Sequence, residues 1–145
     1  MYLVSACLAG APCRYDGNSK GDQRIIDLVN RGEAVPVCPE QLGGLMTPRA
    51  SCEIRGDRIV NKEDRDCTAE FELGAERTLA IAKALGITKA ILKAKSPSCG
   101  CGKIYDGTFS GTLIDGNGKA AELLLKHGIE VYTEEDLLQF SDLDC

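Results

Sequence analysis

Histidine and tryptophan are the scarcest residues of this chain, which contains one histidine, His127, and no tryptophan. The chain also lacks the C-x-x-C pair that is typical of structural zinc sites. A zinc ribbon is therefore not expected. His127 lies near the carboxyl end of a predicted helix, and we interpret it as a surface residue that interacts with the helix dipole.

Long apolar segments are absent as well. No run approaches the roughly 18 consecutive apolar residues that a membrane helix requires. The first residues also lack the basic stretch before an apolar one that marks a signal peptide. We therefore expect a soluble, cytoplasmic protein that does not contact a membrane.

Positive charge is in the minority, because 17 Lys and Arg stand against 22 Asp and Glu, for a formal net charge of −5. Contacts with nucleic-acid phosphates need a basic surface, so this balance argues against a general nucleic-acid binder. The glycine-rich segments match neither the P-loop nor G-x-G-x-x-G, which gives nucleotide binding little support. The sequence carries no signal for a particular oligomeric state.

Cysteine, by contrast, is abundant, with eight copies in 145 residues. Disulfide frameworks belong to small secreted domains, whereas this chain is larger and shows no export signal. In a reducing cytosol the remaining explanations are metal binding, catalysis and burial as inert thiols. Cys52, Cys67 and Cys145 fit no recognisable pattern, so we interpret them as buried or incidental.

Three short apolar segments are predicted as β-strands: Tyr2–Ala6, Ala34–Val37 and Ala90–Ala94. Predicted helices alternate with them, and the clearest covers residues 68–85, where apolar residues recur every three or four positions before Gly86. This order predicts one domain over residues 1–145. Its fold class is α/β, a three-layer, Rossmann-like sandwich with a mainly parallel sheet.

The remaining segments give weaker signals. Asp22 is expected to cap a first helix, and Pro36 is typical of an edge strand or a bulge. Residues 53–60 indicate two extended pieces around a tight turn, whereas the glycine-rich residues 96–118 are expected to form a loop. A last strand over residues 129–132 and a short helix complete the predicted domain.

A cysteine lies at or shortly after the end of each predicted strand: Cys7, Cys38 and Cys99. If the strands are parallel, their carboxyl ends share one edge of the sheet, where open α/β sheets bind ligands. Three soft thiolates suit an iron–sulfur cluster or zinc far better than magnesium or calcium. The sequence therefore predicts a metal centre at this edge.

Polar residues near these cysteines supply candidates for catalysis. Glu40 follows Cys38 by two residues and can face the same pocket as a general acid or base, and Pro39 stiffens the connection. Ser96 and Ser98 precede the third cysteine, and their hydroxyls and backbone amides can bind an anion or a substrate carbonyl.

The first long loop contains Arg14, Tyr15 and Asp16. An arginine, an aromatic ring and a carboxylate together can recognise a small planar heterocycle by stacking and hydrogen bonding. The same three residues can equally form a turn whose charges meet each other in solvent.

Several motifs extend, in register, from about residue 2 to residue 132. They are Ser5-Ala6-Cys7-Leu8-x-Gly10, Cys13-Arg14-Tyr15-Asp16-Gly17, Cys38-Pro39-Glu40-x-x-Gly43-Gly44, Thr47-Pro48-Arg49, Ser96-Pro97-Ser98-Cys99-Gly100 and Asp106-Gly107-Thr108-Phe109-Ser110-Gly111. In this order they resemble the small bacterial family that includes the thiouracil desulfidases.

The resemblance implies an oxygen-sensitive [4Fe-4S] cluster held by Cys7, Cys38 and Cys99, with the fourth iron free of a protein ligand. That iron would accept the sulfur of a thiolated uracil, and water would replace the sulfur at the ring carbon without redox change. The resemblance also implies that Glu40 is the acid/base residue and that a serine of the 96–98 stretch assists.

Three functional hypotheses follow. The first is an iron–sulfur-dependent desulfidase that acts on a small thiolated pyrimidine, as free base or nucleoside; the acidic charge disfavours thiolated tRNA. The second is a non-catalytic zinc or iron–sulfur protein for storage or sensing, which would need no acid/base group such as Glu40. The third is a thiol redox protein that uses Cys99 and Cys101, although their C-x-C spacing is one residue shorter than usual. Cys13 and Cys101 stay open as additional metal ligands.

Overall fold

Short strands and helices alternate along the chain. The computed structural model describes residues 1–139, so Cys145, interpreted above as an incidental thiol, lies outside the described residues. In chain order the elements are β1 (Tyr2–Ser5), α1 (Gln23–Asn30), β2 (Ala34–Val37), α2 (Pro39–Leu42), β3 (Cys52–Arg55), β4 (Arg58–Asn61), α3 (Thr68–Ala84), β5 (Lys89–Leu92), β6 (Lys103–Tyr105), β7 (Leu113–Asp115), α4 (Lys119–Lys126), β8 (Glu130–Thr133) and a 3-10 helix (Glu134–Gln139).

Four of the strands form a parallel sheet in the order β2-β1-β5-β8. The neighbouring pairs are all parallel, with Leu3 of β1 opposite both Val35 of β2 and Ala90 of β5. The expected mainly parallel sheet is thus confirmed. β2 lies at one edge of the sheet, and this position explains why it tolerates Pro36, which has no N–H to donate to a further strand.

Both faces of the sheet are covered. Leu3 and Ala90 pack into a buried cluster with side chains of α3 and α4, whereas their chain neighbours Val4 and Ile91 pack into a second cluster with α1. This alternation follows from the opposite directions of successive side chains along a strand. The structure therefore has a helix layer on each side of the sheet, which confirms the three-layer α/β sandwich.

The helix boundaries agree with the capping signals. The Asp22 carboxylate accepts a hydrogen bond from the backbone N–H of Arg24, and α1 ends before Gly32, whose φ is 74°. α3 begins at Thr68, as predicted, and ends one residue before the predicted end. His127 lies exposed at the carboxyl end of α4. None of the helices in residues 1–139 has the length and apolar character needed to cross a membrane.

Helix α2 packs against α3 at two glycines. A Cβ atom on Gly74 would lie 1.9 Å from the carbonyl oxygen of Pro39, and a Cβ on Gly43 would lie 1.9 Å from that of Glu70. Only glycine permits such a close approach of two backbones. This contact fixes the short helix that follows Cys38.

Two segments outside the sheet differ in how well the sequence predicted them. The β3–β4 hairpin, with its tight turn at Gly56 and Asp57, confirms the two extended pieces predicted for residues 53–60. Residues 96–118, by contrast, are more than a loop, because β6 and β7 pair as a short antiparallel hairpin inside them. Each of those strands has only three residues, and β7 is exposed along its length, so neither shows the apolar pattern of a buried strand.

Candidate active site

The three strand-end cysteines converge. Cys7 follows β1, Cys38 follows β2 directly and Cys99 lies beyond β5, and these are three neighbouring strands. All three residues line one cavity of about 550 Å³. From β1 the chain adds β2 on one side and β5 on the other, so the cavity lies at the kind of switch point where parallel sheets bind ligands.

A fourth thiol belongs to this group. The Cys13 thiol is buried and interacts with the thiols of Cys7 and Cys38. The hydrogen bond between Cys13 and Cys38 lowers the pKa of Cys13, but its hydrogen bond with Cys7 and its burial outweigh this effect, so that its pKa is raised. The bond with Cys13, together with burial, raises the pKa of Cys38. Burial raises the pKa of the Cys99 thiol to about 12. Without a metal, the thiols of Cys13, Cys38 and Cys99 are therefore protonated at neutral pH.

The donor set fits an iron–sulfur cluster. Thiolates are the usual ligands of such clusters, and each binds a different iron, so the sulfurs of a cluster site do not converge on one point. Among residues 1–139, no group of three or more Cys, His, Asp or Glu side chains is arranged around a single metal ion. Cys7, Cys38 and Cys99, which line one cavity, provide the thiolate donors that such a cluster needs.

Glu40 is held in the same cavity by two partners. It lies on α2, whose first residue is Pro39. The Arg49 side chain donates from Nε to Glu40 Oε1 at 3.1 Å, and the Ser98 hydroxyl donates to Oε2 at 2.8 Å. The Arg49 and Glu40 side chains are only 8% and 14% exposed, so water screens this ion pair less than a surface pair. Arg49 also donates from Nη2 to the carbonyl oxygen of Cys13, which ties Glu40 to the first loop.

The two predicted serines form a hydrogen-bonded chain that ends at Glu40. The hydroxyls of Ser96 and Ser98 are 3.1 Å apart, and Ser96 Oγ accepts hydrogen bonds from the backbone N–H groups of Ser98 and Cys99. Because Ser98 gives its one proton to Glu40 at the shortest distance, Ser96 is the donor between the two hydroxyls. Ser98 Oγ also lies 3.6 Å from the sulfur of Cys99.

The first loop contributes two of its three predicted residues to the cavity. Arg14 and Tyr15 line it, and the guanidinium carbon of Arg14 lies 5.4 Å from the centroid of the Tyr15 ring. Asp16 is exposed and lies outside the lining, 3.5 Å from Arg14 Nη1. Arg14 and Tyr15 are thus placed where they can contact a ligand, and the ion pair between Arg14 and Asp16 also forms, as expected for a turn.

Basic side chains outnumber acidic ones in the cavity lining, although the chain as a whole is acidic. Arg49 and four lysines line it together with Arg14, against two carboxylates, Glu40 and Glu53. Three of these cations are paired with carboxylates outside the lining: Arg14 with Asp16, Lys93 with Glu134 and Lys95 with Glu135. Lys93 and Lys95 follow the end of β5, at the same edge of the sheet as the strand-end cysteines. This position in the sequence indicates that they line the same cavity. The four lysines are Lys20, Lys62, Lys93 and Lys95.

The remaining described cysteines lie apart from this thiol group. Cys67 belongs to a small buried cluster with Phe71, and Cys52 packs against that cluster and also lines the cavity. Burial raises the pKa of Cys52 to about 12, so its thiol is protonated and unreactive at neutral pH. The Cys101 sulfur contacts the carbonyl oxygen of Val131 and does not line the cavity. The position of Cys67 agrees with the interpretation of a buried, incidental thiol.

The fold and the cavity define the class: an α/β protein with a site at the carboxyl edge of its sheet that is lined by thiols and by a largely buried carboxylate. A family model described as 2-thiouracil desulfurase matches residues 2–136. The chain belongs to this family, and the resemblance seen in the motifs is confirmed.

Two relatives cover almost the whole chain. The uncharacterized protein YbbK of Bacillus subtilis (strain 168) is 44% identical over 94% of this chain and 97% of its own length. A solved structure described as the [4Fe-4S]-dependent thiouracil desulfidase TudS shares 47% identity, with a TM-score of 0.91 over 95% of this chain and 93% of that one. This chain and TudS are therefore similar in fold as well as in sequence.

Proposed function

We propose that the protein is an iron–sulfur-dependent desulfidase of thiolated pyrimidines. It exchanges the ring sulfur for oxygen, so that thiouracil and water give uracil and hydrogen sulfide without net redox change. Family membership and the likeness to TudS support this function. The observation in this chain that carries it is the Glu40 carboxylate, oriented by Arg49 and Ser98 in the cavity of the strand-end thiols.

Cys7, Cys38 and Cys99 are the proposed ligands of a [4Fe-4S] cluster. Their support is the common cavity and the placement of one cysteine after each of three adjacent strands. When bound, a cluster with three protein ligands supplies an open iron position that acts as a Lewis acid toward the substrate sulfur.

Glu40 is the proposed acid/base residue. Its carboxylate takes a proton from the water that attacks the ring carbon, and it returns this proton to the sulfur as the carbon–sulfur bond breaks. The hydroxyl group left on the ring carbon loses the second proton to the released sulfide and becomes the carbonyl group of uracil. Arg49 and Ser98 each bind one of its oxygens, which fixes the orientation of the carboxylate. The chain of Ser96 and Ser98 assists by holding the Glu40 carboxylate next to Cys99.

A small thiolated pyrimidine is the proposed partner. Arg14 and Tyr15 are its proposed contacts in the first loop, with Asp16 as the residue that orients Arg14.

All seven cysteines in the described part of the chain are free thiols, in keeping with a reducing compartment such as the cytoplasm. The alternative of a storage or sensing protein leaves the hydrogen-bonded Glu40 without a role.

Purification without oxygen tests this function. We expect brown protein with about four irons and four sulfides per chain, and release of one sulfide for each 2-thiouracil converted to uracil. The matched control is the same protein stripped of iron by a chelator, which should release none. Intact clusters with no conversion of any thiolated pyrimidine would favour the storage or sensing alternative.

A further inference from the structure

The loop that joins β6 to β7, residues 106–112, is bound to strand β3 by two side chains. Glu53 Oε1 accepts hydrogen bonds from the backbone N–H groups of Gly107, at 3.0 Å, and Phe109, at 3.1 Å. Arg55 donates from Nε and Nη2 to the carbonyl oxygen of Gly107, at 3.0 and 2.9 Å. Two adjacent peptide segments of the loop are therefore held by charged groups of one strand, and such hydrogen bonds are stronger than neutral ones.

The backbone of the loop is fitted to this strand. Gly107 has φ 94°, and a Cβ at this position would lie 2.8 Å from the carbonyl oxygen of Ile54. Phe109 has φ 57°, in the left-handed region that side chains other than glycine rarely adopt. Strained residues persist where the surrounding structure fixes them, and they cluster at functional sites. The Glu53 carboxylate, bonded to the Phe109 N–H, is the group that fixes this conformation.

The strained residue faces the candidate active site. Phe109 lines the same cavity as Glu40 and the strand-end cysteines, and it is only partly buried. Tyr105, from the end of β6, lines the cavity beside it. A partly uncovered aromatic side chain on a backbone held in place offers a flat face to a planar ligand, and heterocyclic bases stack on such rings.

We infer that Phe109 is a specificity-determining residue on which the pyrimidine ring of the substrate stacks, and that Glu53 is the positioning residue that holds Phe109 in place. This inference rests on the proposed function. It gives the 106–111 motif a role separate from cluster ligation, because the Phe109 side chain has no donor atom for iron and the Glu53 carboxylate is bonded to the backbone of the loop.

Steady-state kinetics on the full-length, cluster-loaded protein test the inference. The substrate is 2-thiouracil, and the competing ligand is uracil. We expect Phe109→Ala and Phe109→Leu to raise KM for 2-thiouracil and the inhibition constant of uracil by roughly 5- to 100-fold, the range of base–aromatic stacking. Phe109→Tyr, which keeps the ring, should stay close to the wild type. In all variants kcat should change less than KM, and the iron and sulfide content should not change.

Glu53 is tested with a conservative pair. Glu53→Gln keeps an oxygen that accepts the two backbone hydrogen bonds, so it should retain most of the wild-type KM, whereas Glu53→Ala should raise KM as Phe109→Leu does. Glu63→Ala, an exposed carboxylate of the segment after β4, is the matched control and should have no effect. An unchanged KM in Phe109→Leu, in protein that converts 2-thiouracil, would overturn the inference alone. A wild type that holds its cluster but converts no thiolated pyrimidine would overturn the proposed function, and this inference with it.

Discussion

Ser98 and Glu40, 58 residues apart in the chain, are joined by a 2.8 Å hydrogen bond from the serine hydroxyl to Glu40 Oε2. The same hydroxyl oxygen lies 3.6 Å from the sulfur of Cys99. One small side chain thus contacts both the proposed acid/base residue and a proposed cluster ligand. The segment that follows β5 carries both Ser98 and Cys99, so its backbone determines how far the Glu40 carboxylate lies from the Cys99 sulfur.

Glu40→Gln is expected to keep the cluster and to lower the rate of sulfide release from 2-thiouracil by roughly 10²–10⁴-fold, the usual loss on removing a general acid/base. Glutamine fills the same space, but it cannot take a proton from water. Iron analysis and a colorimetric sulfide assay on the same sample measure both quantities. Glu63→Gln provides the control for a loss of one negative charge. Wild-type rates in Glu40→Gln would show that Glu40 is not catalytic.

Ser98→Ala is expected to lower kcat by about 10- to 100-fold, because it removes a hydrogen bond to a charged group. The cluster should remain, since Ser98 is not a ligand. The effect should be smaller in Ser98→Thr, which keeps the hydroxyl. Pre-steady-state sulfide release compares the three proteins. Equal rates in Ser98→Ala and the wild type would contradict a role for this hydroxyl in orienting Glu40.

Cys7→Ala, Cys38→Ala and Cys99→Ala are each expected to abolish the cluster, because each would remove one of three ligands. Cys52→Ala and Cys67→Ala should retain it, since Cys67 is buried in the hydrophobic cluster with Phe71 and Cys52 packs against that hydrophobic cluster. Iron content and the absorbance of protein prepared without oxygen measure the outcome. Full iron retention in any of the first three variants would remove that residue from the ligand set.

Cysteine illustrates how far the sequence alone was informative. Strand ends follow from local apolar patterns, and parallel strands share an edge, so the convergence of Cys7, Cys38 and Cys99 was predictable. The roles of the other thiols depended on backbone turns that the sequence does not specify. Cys101 neighbours Cys99 in sequence, but it points to Val131 instead of the cavity, whereas Cys13 is folded back among the strand-end thiols.

The hydrogen-bond partners of Glu40, Arg49 and Ser98, could not be predicted from the sequence pattern. Its placement in the cavity followed from its position two residues after Cys38. Arg49 reaches it through a turn stabilised by hydrogen bonds to the carbonyl oxygens of Met46 and Cys13, and no periodicity marks such a turn. The contact of Glu53 with Gly107 spans 54 residues and joins two hairpins, one of which was expected to be a loop. Contacts of this kind are decided by tertiary packing.

Cys13→Ser is expected to keep the cluster and most of the activity, because three other cysteines supply the ligands and the fourth iron position is open to substrate. Cys101→Ser should behave in the same way, since its sulfur lies away from the cavity. Mössbauer spectra of enriched samples distinguish a cluster with one unique iron site from one with four thiolate ligands. Loss of the cluster in Cys13→Ser would mean that four protein ligands hold it, and the open-site mechanism would fail.

Gly74→Ala is expected to destabilise the protein by about 2–4 kcal/mol, at the upper end of the cost of overpacking. Two effects of opposite sign compete at this position. Alanine favours the helical state by about 1 kcal/mol over glycine, but its Cβ would lie 1.9 Å from the Pro39 carbonyl oxygen, and a backbone atom cannot move aside as a flexible side chain can. The clash should therefore prevail, and because α2 carries Glu40, sulfide release should fall as well.

Glu76→Ala, exposed on the same helix, is the matched control and should change the free energy of unfolding by less than about 0.5 kcal/mol. Chemical denaturation of the cluster-free proteins measures the difference, and an alanine variant more stable than the wild type would show that α2 and α3 do not make this contact.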